Sequence, residues 1–310
     1  QLKIDFNISP QISRYVYVYL IEGNDGYYLI DTGVKGCDKK IGEYIHKNGR
    51  RRQTINTVLL THSHPDHIGG AKALKHIYGC QICSCAGEKN WVEDIDLQYR
   101  ERPIPNFYGL VEGSVHVDRT LIPGEIIELE PGISLEVIKA SGHSLESLCF
   151  YYREEKLLFV GDGIPGPEDV PIYVDSQASL DTLERLRVWK EVDLYCPAWD
   201  KVYDKEEGLQ NIQAAISQME RIRNAAEQYA DSLCAGKIQD RDVVHLMCSQ
   251  ILLFHGQLRF RGAGRHIPAA AGAGGHHREY LLPCGRTDKP IAFRASGQLY
   301  HTWHGRVFLS

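Results

Sequence analysis

Long apolar runs are missing from this 310-residue chain. No stretch approaches the roughly 18 apolar residues that a membrane-spanning helix needs, and no basic-then-apolar opening marks a secretory leader. A basic excess is missing too. The formal net charge is -5, from 35 Lys and Arg against 40 Asp and Glu, whereas a surface that tracks nucleic-acid phosphates needs surplus positive charge. A disulfide framework is also absent: the nine cysteines are odd in number and scattered, which fits reduced thiols. These absences point to a cytoplasmic protein whose partner is a small-molecule substrate, with neither nucleic acid nor membrane, and with a homo-oligomer left open. The chain opens on Gln1 rather than Met, which leaves room for a short preceding segment. Composition is otherwise that of a globular protein, 43% hydrophobic and 24% charged, long enough for a large core in one or two domains.

What the chain does have is a dense group of potential metal ligands. The run Thr61-His62-Ser63-His64-Pro65-Asp66-His67 holds three imidazoles and a carboxylate. His62 and His64, two apart, can turn toward one ion in an extended or looped segment, and Asp66 and His67 follow at once and can face another. Ile55, Val58, Leu59 and Leu60 read as a short apolar strand before it. Gly69-Gly70, then Ala71, Ala73, Leu74 and Ile77, read as a helix start after it. The ligands therefore sit on a loop at a strand end.

The motif resembles the His-x-His-x-Asp-His signature of the metallo-β-lactamase superfamily, and residues across the first 200 agree with it. Asp31-Thr32-Gly33 follows two strand-like runs, around Tyr15 to Ile21 and Tyr27 to Ile30. A further histidine lies in Ala140-Ser141-Gly142-His143-Ser144, after the strand-like Leu135 to Ile138. A further acid lies in Phe159-Val160-Gly161-Asp162-Gly163, after the apolar Leu157 to Val160. The resemblance implies a first metal site of His62, His64 and His143, a second with Asp66 and His67, Asp162 bridging them, and Asp31 orienting a ligand. No organic cofactor is implied. One or two divalent ions are, zinc first, with iron or manganese as alternatives.

The chain departs from the dinuclear pattern at one place, where a late Pro-Gly-His-like turn is expected and Pro197-Ala198-Trp199-Asp200 stands instead. Asp200 can serve as an oxygen ligand, making a harder site suited to iron or manganese. Alternatively Trp199 caps a one-metal site held by a subset such as His62, His143 and Asp162, or the site is degenerate and binds weakly.

A divalent ion lowers the pKa of bound water to about 7 and polarises a carbonyl or phosphoryl oxygen. In the mechanism the resemblance implies, Asp66 accepts or orients the proton of the attacking hydroxide and Asp162 fixes the metals. The leading expectation is a hydrolase of a small-molecule ester, thioester, lactone or related bond, resembling the glyoxalase II and lactonase-like branch. The runner-up is a mononuclear iron oxidoreductase resembling the persulfide dioxygenases, and the third a binding or sensor module without turnover.

The fold expectation is α+β: a four-layer αβ/βα sandwich, two mixed sheets face to face with helices outside and the metal cleft at one edge. One domain spans 1–255. Its insertion at 88–125, with Trp91, Tyr99, Arg100, Arg102, Phe107 and Tyr108, and the loop 164–176 are candidate walls of the cleft. Cys80, Cys83 and Cys85, like Cys149 and Cys196, read as small core residues. Leu180, Leu183, Leu186 and Trp189 mark one core-facing helix, and Leu209, Ile212, Ile216, Met219 and Ile222 mark another within 206–255. From His255 onward only Glu279 and Asp288 are acidic, against six histidines. Residues 256–310 therefore read as a basic, low-complexity tail to which periodicity assigns no elements.

Overall fold

Strand β2 (Ile12–Glu22) shows in miniature how the sheets form: Val16 and Val18 turn to one face, Tyr17, Tyr19 and Ile21 to the other, and both faces are covered. A strand presents alternate side chains to opposite sides, so a sheet whose alternate residues are all apolar must be buried twice. In the computed structural model, which describes residues 1–9, 12–48, 53–166, 171–189, 191–234, 291–295, 298–303 and 306–309, two six-stranded sheets meet this demand.

The first sheet runs in chain order: β1 (Leu2–Ser9), β2, β3 (Tyr27–Ile30), β4 (Ile55–Leu59), β5 (Gln81–Cys85) and β6 (Arg119–Leu121). It is antiparallel from β1 to β3 and parallel from β3 to β6. Parallel neighbours need crossovers. These are α1 (Cys37–Asn48), the pair α2 (Pro65–Ile68) and α3 (Ala71–Tyr78), and then α4 (Lys89–Glu93), α5 (Ile95–Glu101) and α6 (Phe107–Leu110), which make up the helical insertion. The second sheet has the order β12-β11-β10-β9-β8-β7, from β7 (Ile126–Glu130), β8 (Ile133–Lys139), β9 (Leu148–Tyr152), β10 (Leu157–Gly161), β11 (Leu194–Pro197) and β12 (Tyr203–Asp204). Only its β10–β11 pair is parallel. α7 (Ser176–Arg187) and α8 (Lys205–Cys234) cover its outer face.

Three apolar layers follow. Tyr19, Tyr28, Ile30, Leu59 and Cys83 of the first sheet meet Leu135, Val137, Phe150 and Phe159 of the second. Val18, Leu29, Val58 and Ile82 pack outward on Ile41 and Leu74. Tyr151, Leu158 and Tyr195 pack outward on Leu183, Leu186, Ile212 and Ile216. The result is the αβ/βα sandwich expected from the sequence. Each fully buried aliphatic side chain contributes about 1.5–3 kcal/mol, so the alternation drives the layering as well as signalling it.

Particulars differ from the sequence reading in two places. Ile77 is 55% exposed, and Ala71 and Leu74 alone form the buried stripe of α3. Within 256–310, β13 (Ile291–Ala295), β14 (Gln298–Trp303) and β15 (Arg306–Leu309) form an antiparallel three-stranded sheet, where periodicity assigned no elements. The low-complexity run at 269–275, His276 and His277 lie outside the described residues, as does 235–255.

Candidate metal centre

The residues of interest leave the strands at their carboxyl ends, the usual place for a site in a sheet with parallel strands. His62 lies just beyond β4, His143 beyond β8, Asp162 beyond β10 and Trp199 beyond β11. Backbone bonds draw these ends of the two sheets together: Leu148 N–H donates to Thr61 O (2.7 Å) and Tyr17 N–H to Ala198 O (2.7 Å), while Ala198 N–H to Gly161 O (2.9 Å) continues the β10–β11 pairing.

Local chemistry shapes the histidine loop. His64 is extended (φ -63°, ψ 149°), as a residue before proline prefers, and Pro65 opens the one-turn α2. The turn places Asp66 and His67 directly behind His62 and His64. Gly69 then lets α2 press against its neighbours, since a Cβ there would lie 2.2 Å from Leu110 O and 2.6 Å from Val34 Cα. Gly142 does the same for His143. Its φ of 131° is closed to other residues, and a Cβ would lie 2.3 Å from the Ser179 backbone.

Four ligand atoms converge: those of His62, His64, His143 and Asp162 all lie within 4.8 Å of one another. His143 Nε2 is 2.9 Å from His64 Nδ1 and 3.1 Å from Asp162 Oδ2, and His62 Nε2 is 3.9 Å from Asp162 Oδ2. Tetrahedral bonds of about 2.0–2.1 Å put ligand atoms about 3.3 Å apart, so the two shorter spacings suit a divalent ion and the third is wider. His62 Nε2, His64 Nε2 and Asp66 Oδ2 are buried without a hydrogen-bond partner among the described residues. Native interiors rarely leave such atoms unsatisfied, and a divalent cation would satisfy them.

The surrounding groups fix these atoms in place. His143 Nδ1 lies 2.9 Å from Ile172 O, which turns Nε2 inward. Asp31, at a positive φ of 62°, faces Thr61 N, Thr61 Oγ1 and His67 Nδ1, each at 2.8 Å. It thereby aims His67 Nε2 at Asp162 Oδ1 (3.2 Å) and Asp66 Oδ2 (3.6 Å). Burial holds His62 and His64 well below the ordinary imidazole range, so they are neutral donors. For His67 burial also acts downward, but the carboxylates of Asp162, Asp31 and Asp66 outweigh it and hold the ring well above that range. Burial would raise Asp162, but His67 and His143 carry it well below the usual carboxylate range. Burial raises Asp66.

The structure does not bring Asp200 to this group. Its carboxylate accepts from Tyr203 Oη and Lys201 N, both at 2.7 Å, so the oxygen-ligand reading of Asp200 is corrected: the neighbouring phenol and amide claim both oxygens. Trp199 takes the position facing the centre. Its Nε1–H donates to Asp162 Oδ2 at 2.8 Å, so a donor stands where a second ion would need another ligand. The cysteines do not contribute either. Burial pushes Cys80 up to about 11 and Cys83 and Cys85 up to about 12, as in packing thiols.

Some supporting residues gave no sign in the sequence. Glu88 is 1% exposed and accepts from Ser63 N and Oγ (both 2.7 Å), Glu146 N (2.9 Å) and Ser144 Oγ, so one carboxylate braces both ligand-bearing loops. Gln98 Nε2 donates to Ser63 O at 2.6 Å. Only a position just beyond a parallel strand marked Glu88, and that is a weak signal.

A family model described as the metallo-beta-lactamase superfamily matches residues 13–198. The chain belongs to that superfamily. It is 26% identical over 181 residues to a hydroxyacylglutathione hydrolase of Hyphomonas neptunium, covering 56% of this chain and 62% of that one. It is 28% identical over 134 residues to an atrochrysone carboxyl ACP thioesterase of Aspergillus fumigatus, covering 42% and 35%. The chain thus spans less than two thirds of the length of these relatives. A metallo-beta-lactamase family protein of Thermus thermophilus shares the fold with a TM-score of 0.58 at 19% identity, over 73% of this chain and 82% of that one. Among the described residues no helix is long and apolar enough to cross a membrane.

Proposed function

We propose that this protein is a metal-dependent hydrolase of a small-molecule ester, thioester or lactone, with one zinc ion held by His62, His64, His143 and Asp162. The convergence of those four ligand atoms carries the reading, since three imidazoles and one carboxylate form a donor set suited to zinc. The names of the relatives, a hydroxyacylglutathione hydrolase and an ACP thioesterase, support a carbonyl substrate. A mononuclear iron oxidoreductase has less support. Two histidines and one carboxylate would leave positions open for oxygen, whereas here His64 joins the other three.

Bound there, the ion supplies Lewis acidity and lowers the pKa of water to about 7. Asp66 Oδ2, buried and unpartnered, is placed to accept a proton at the cleft. His67 is held toward it by Asp31. Trp199 Nε1–H donates to Asp162 Oδ2 and helps to hold that carboxylate in place.

The test is metal content together with thioester, ester and lactone hydrolysis for wild type, Asp66→Asn and His143→Ala. The expected outcome is one zinc per chain in wild type, little in His143→Ala, and a loss of about 10²–10⁴-fold in rate in Asp66→Asn, the usual worth of a positioned acid-base group. Near-normal rates in both variants would remove this centre from the reaction.

A further inference from the structure

Arg102 is the charged residue beside the centre that the reading above leaves without a task. It ends α5, where Pro103 forbids further helix, and lies four residues after Gln98, on the same helix face. That face is turned to the metal loop, because Gln98 is fully buried with Nε2 on Ser63 O. Arg102 itself is half-buried. After burial, its guanidinium is the strongest influence holding His64 down, and Asp66, Glu88 and Asp162 all act on it in turn.

Yet the guanidinium forms neither a hydrogen bond nor an ion pair within 4.0 Å with any described residue, which is unusual for a group with five donors. Glu88 has no need of it, being saturated by Ser63, Ser144 and Glu146. A cation next to neutral histidine ligands also works against a second cation at the centre. Beside His143, Leu145 and Ile172 are about half exposed (51% and 54%), and Ile172 O lies 2.9 Å from His143 Nδ1. The surroundings of the centre therefore include exposed apolar side chains and one free planar fork, whose geometry matches a carboxylate.

We propose that Arg102 binds a carboxylate carried by the substrate, so that the preferred substrate is an acyl compound with a second, anionic end near the scissile carbonyl. This rests on the hydrolase reading. The competing role for Arg102 is charge balance for Asp66 and Asp162, which would be indifferent to substrate charge.

Succinyl-N-acetylcysteamine and butyryl-N-acetylcysteamine, which differ by a carboxylate in place of a methyl group, separate the two roles. The zinc-loaded wild type, Arg102→Gln and Arg102→Lys are compared after checking metal content and thermal midpoint. The preference in kcat/KM for succinyl over butyryl is expected to fall about 10–100-fold in Arg102→Gln, the worth of hydrogen bonds to a charged group, and by less in Arg102→Lys, which keeps the charge and loses the fork. An unchanged preference overturns the proposal. If Arg102→Gln does not fold, Arg102→Lys decides by the same ratio.

Succinate binding, followed by calorimetry, needs no turnover and is expected to weaken at least about tenfold in Arg102→Gln. If neither thioester is hydrolysed but this difference holds, the hydrolase reading fails and the assignment of Arg102 stands. If wild type and variant bind succinate alike, the assignment falls.

Discussion

The two ends of the sandwich each carry a buried glutamate that ties one sheet to the other, and they differ in what surrounds it. At the end away from the metal loops, Glu130 closes β7 and accepts from Asn24 N (2.7 Å), Asn24 Nδ2 (3.0 Å), Asp25 N (3.1 Å) and Tyr28 Oη (3.0 Å) of the first sheet's hairpin. Its carboxylate is thus paired within the protein on both oxygens. At the other end Glu88 is satisfied just as fully, but beside it several ligand atoms are buried and unpaired. The same chain can therefore pair a buried carboxylate fully when only structure is at stake. The unpaired imidazole and carboxylate atoms at the metal end are what the proposed ion would satisfy.

The contrast is broken most severely at Asp162. Asp162→Asn removes the charge that His62, His67 and His143 face, and zinc content is expected to fall well below one per chain, with activity down by more than about 100-fold, beyond the usual worth of groups that only support a ligand. Elemental analysis of protein purified without added metal decides it. A full complement of zinc would mean that the unpaired atoms are not ligands.

Trp199→His tests whether the number of ions is set at one residue. An imidazole in place of the indole would join Asp66, His67 and Asp162, and content is expected to rise from one zinc to two per chain. Asp200→Ala serves as its control and is expected to leave content unchanged, because Asp200 is engaged with Tyr203 and Lys201. Two ions already present in wild type would refute the capping role of Trp199.

Glu88→Gln separates bracing from ligation. Placing an amide NH2 against donors that now meet a carboxylate is expected to cost about 1–3 kcal/mol of stability and about 10–100-fold in metal affinity, read from urea midpoints and a competing chelator. Unaltered affinity with lowered stability would make Glu88 equivalent to Glu130.

These residues also show how far the sequence could be read. The loop from His62 to His67 was legible because its potential ligands lie in one short segment, and the strands because alternation is both their signal and their cause. His143 and Asp162 were legible through their order along the chain. The fate of Asp200 was not, since it depends on Tyr203, which reaches it from the next strand, β12. Glu88 was hidden for the same reason, and Arg102 was legible only as one side chain of a candidate cleft wall: their particular roles follow from which loops the two sheets bring together, and no local pattern encodes that. The tail strands escaped because β13 to β15 lie in a segment of biased composition with little periodicity.

The smallest expected effect belongs to the end without metal, and pH reveals it. Burial would raise Glu130, but the amides of Asn24 and Asp25 and the Tyr28 hydroxyl outweigh it and hold the carboxyl below its ordinary range. A depressed folded-state value means that the unfolded chain takes up the proton first. The stabilisation is thus present in full above the ordinary glutamate value of about 4.3, and it is lost as pH falls through the folded value. Glu130→Gln is expected to be about 1–2 kcal/mol less stable than wild type at pH 7, with zinc content unchanged. Because other carboxylates titrate in both proteins, the informative quantity is the difference between their urea midpoints, which should shrink steadily below about pH 4. A difference that stays constant down to about pH 3 would show that the Glu130 clasp acts through shape and not through charge.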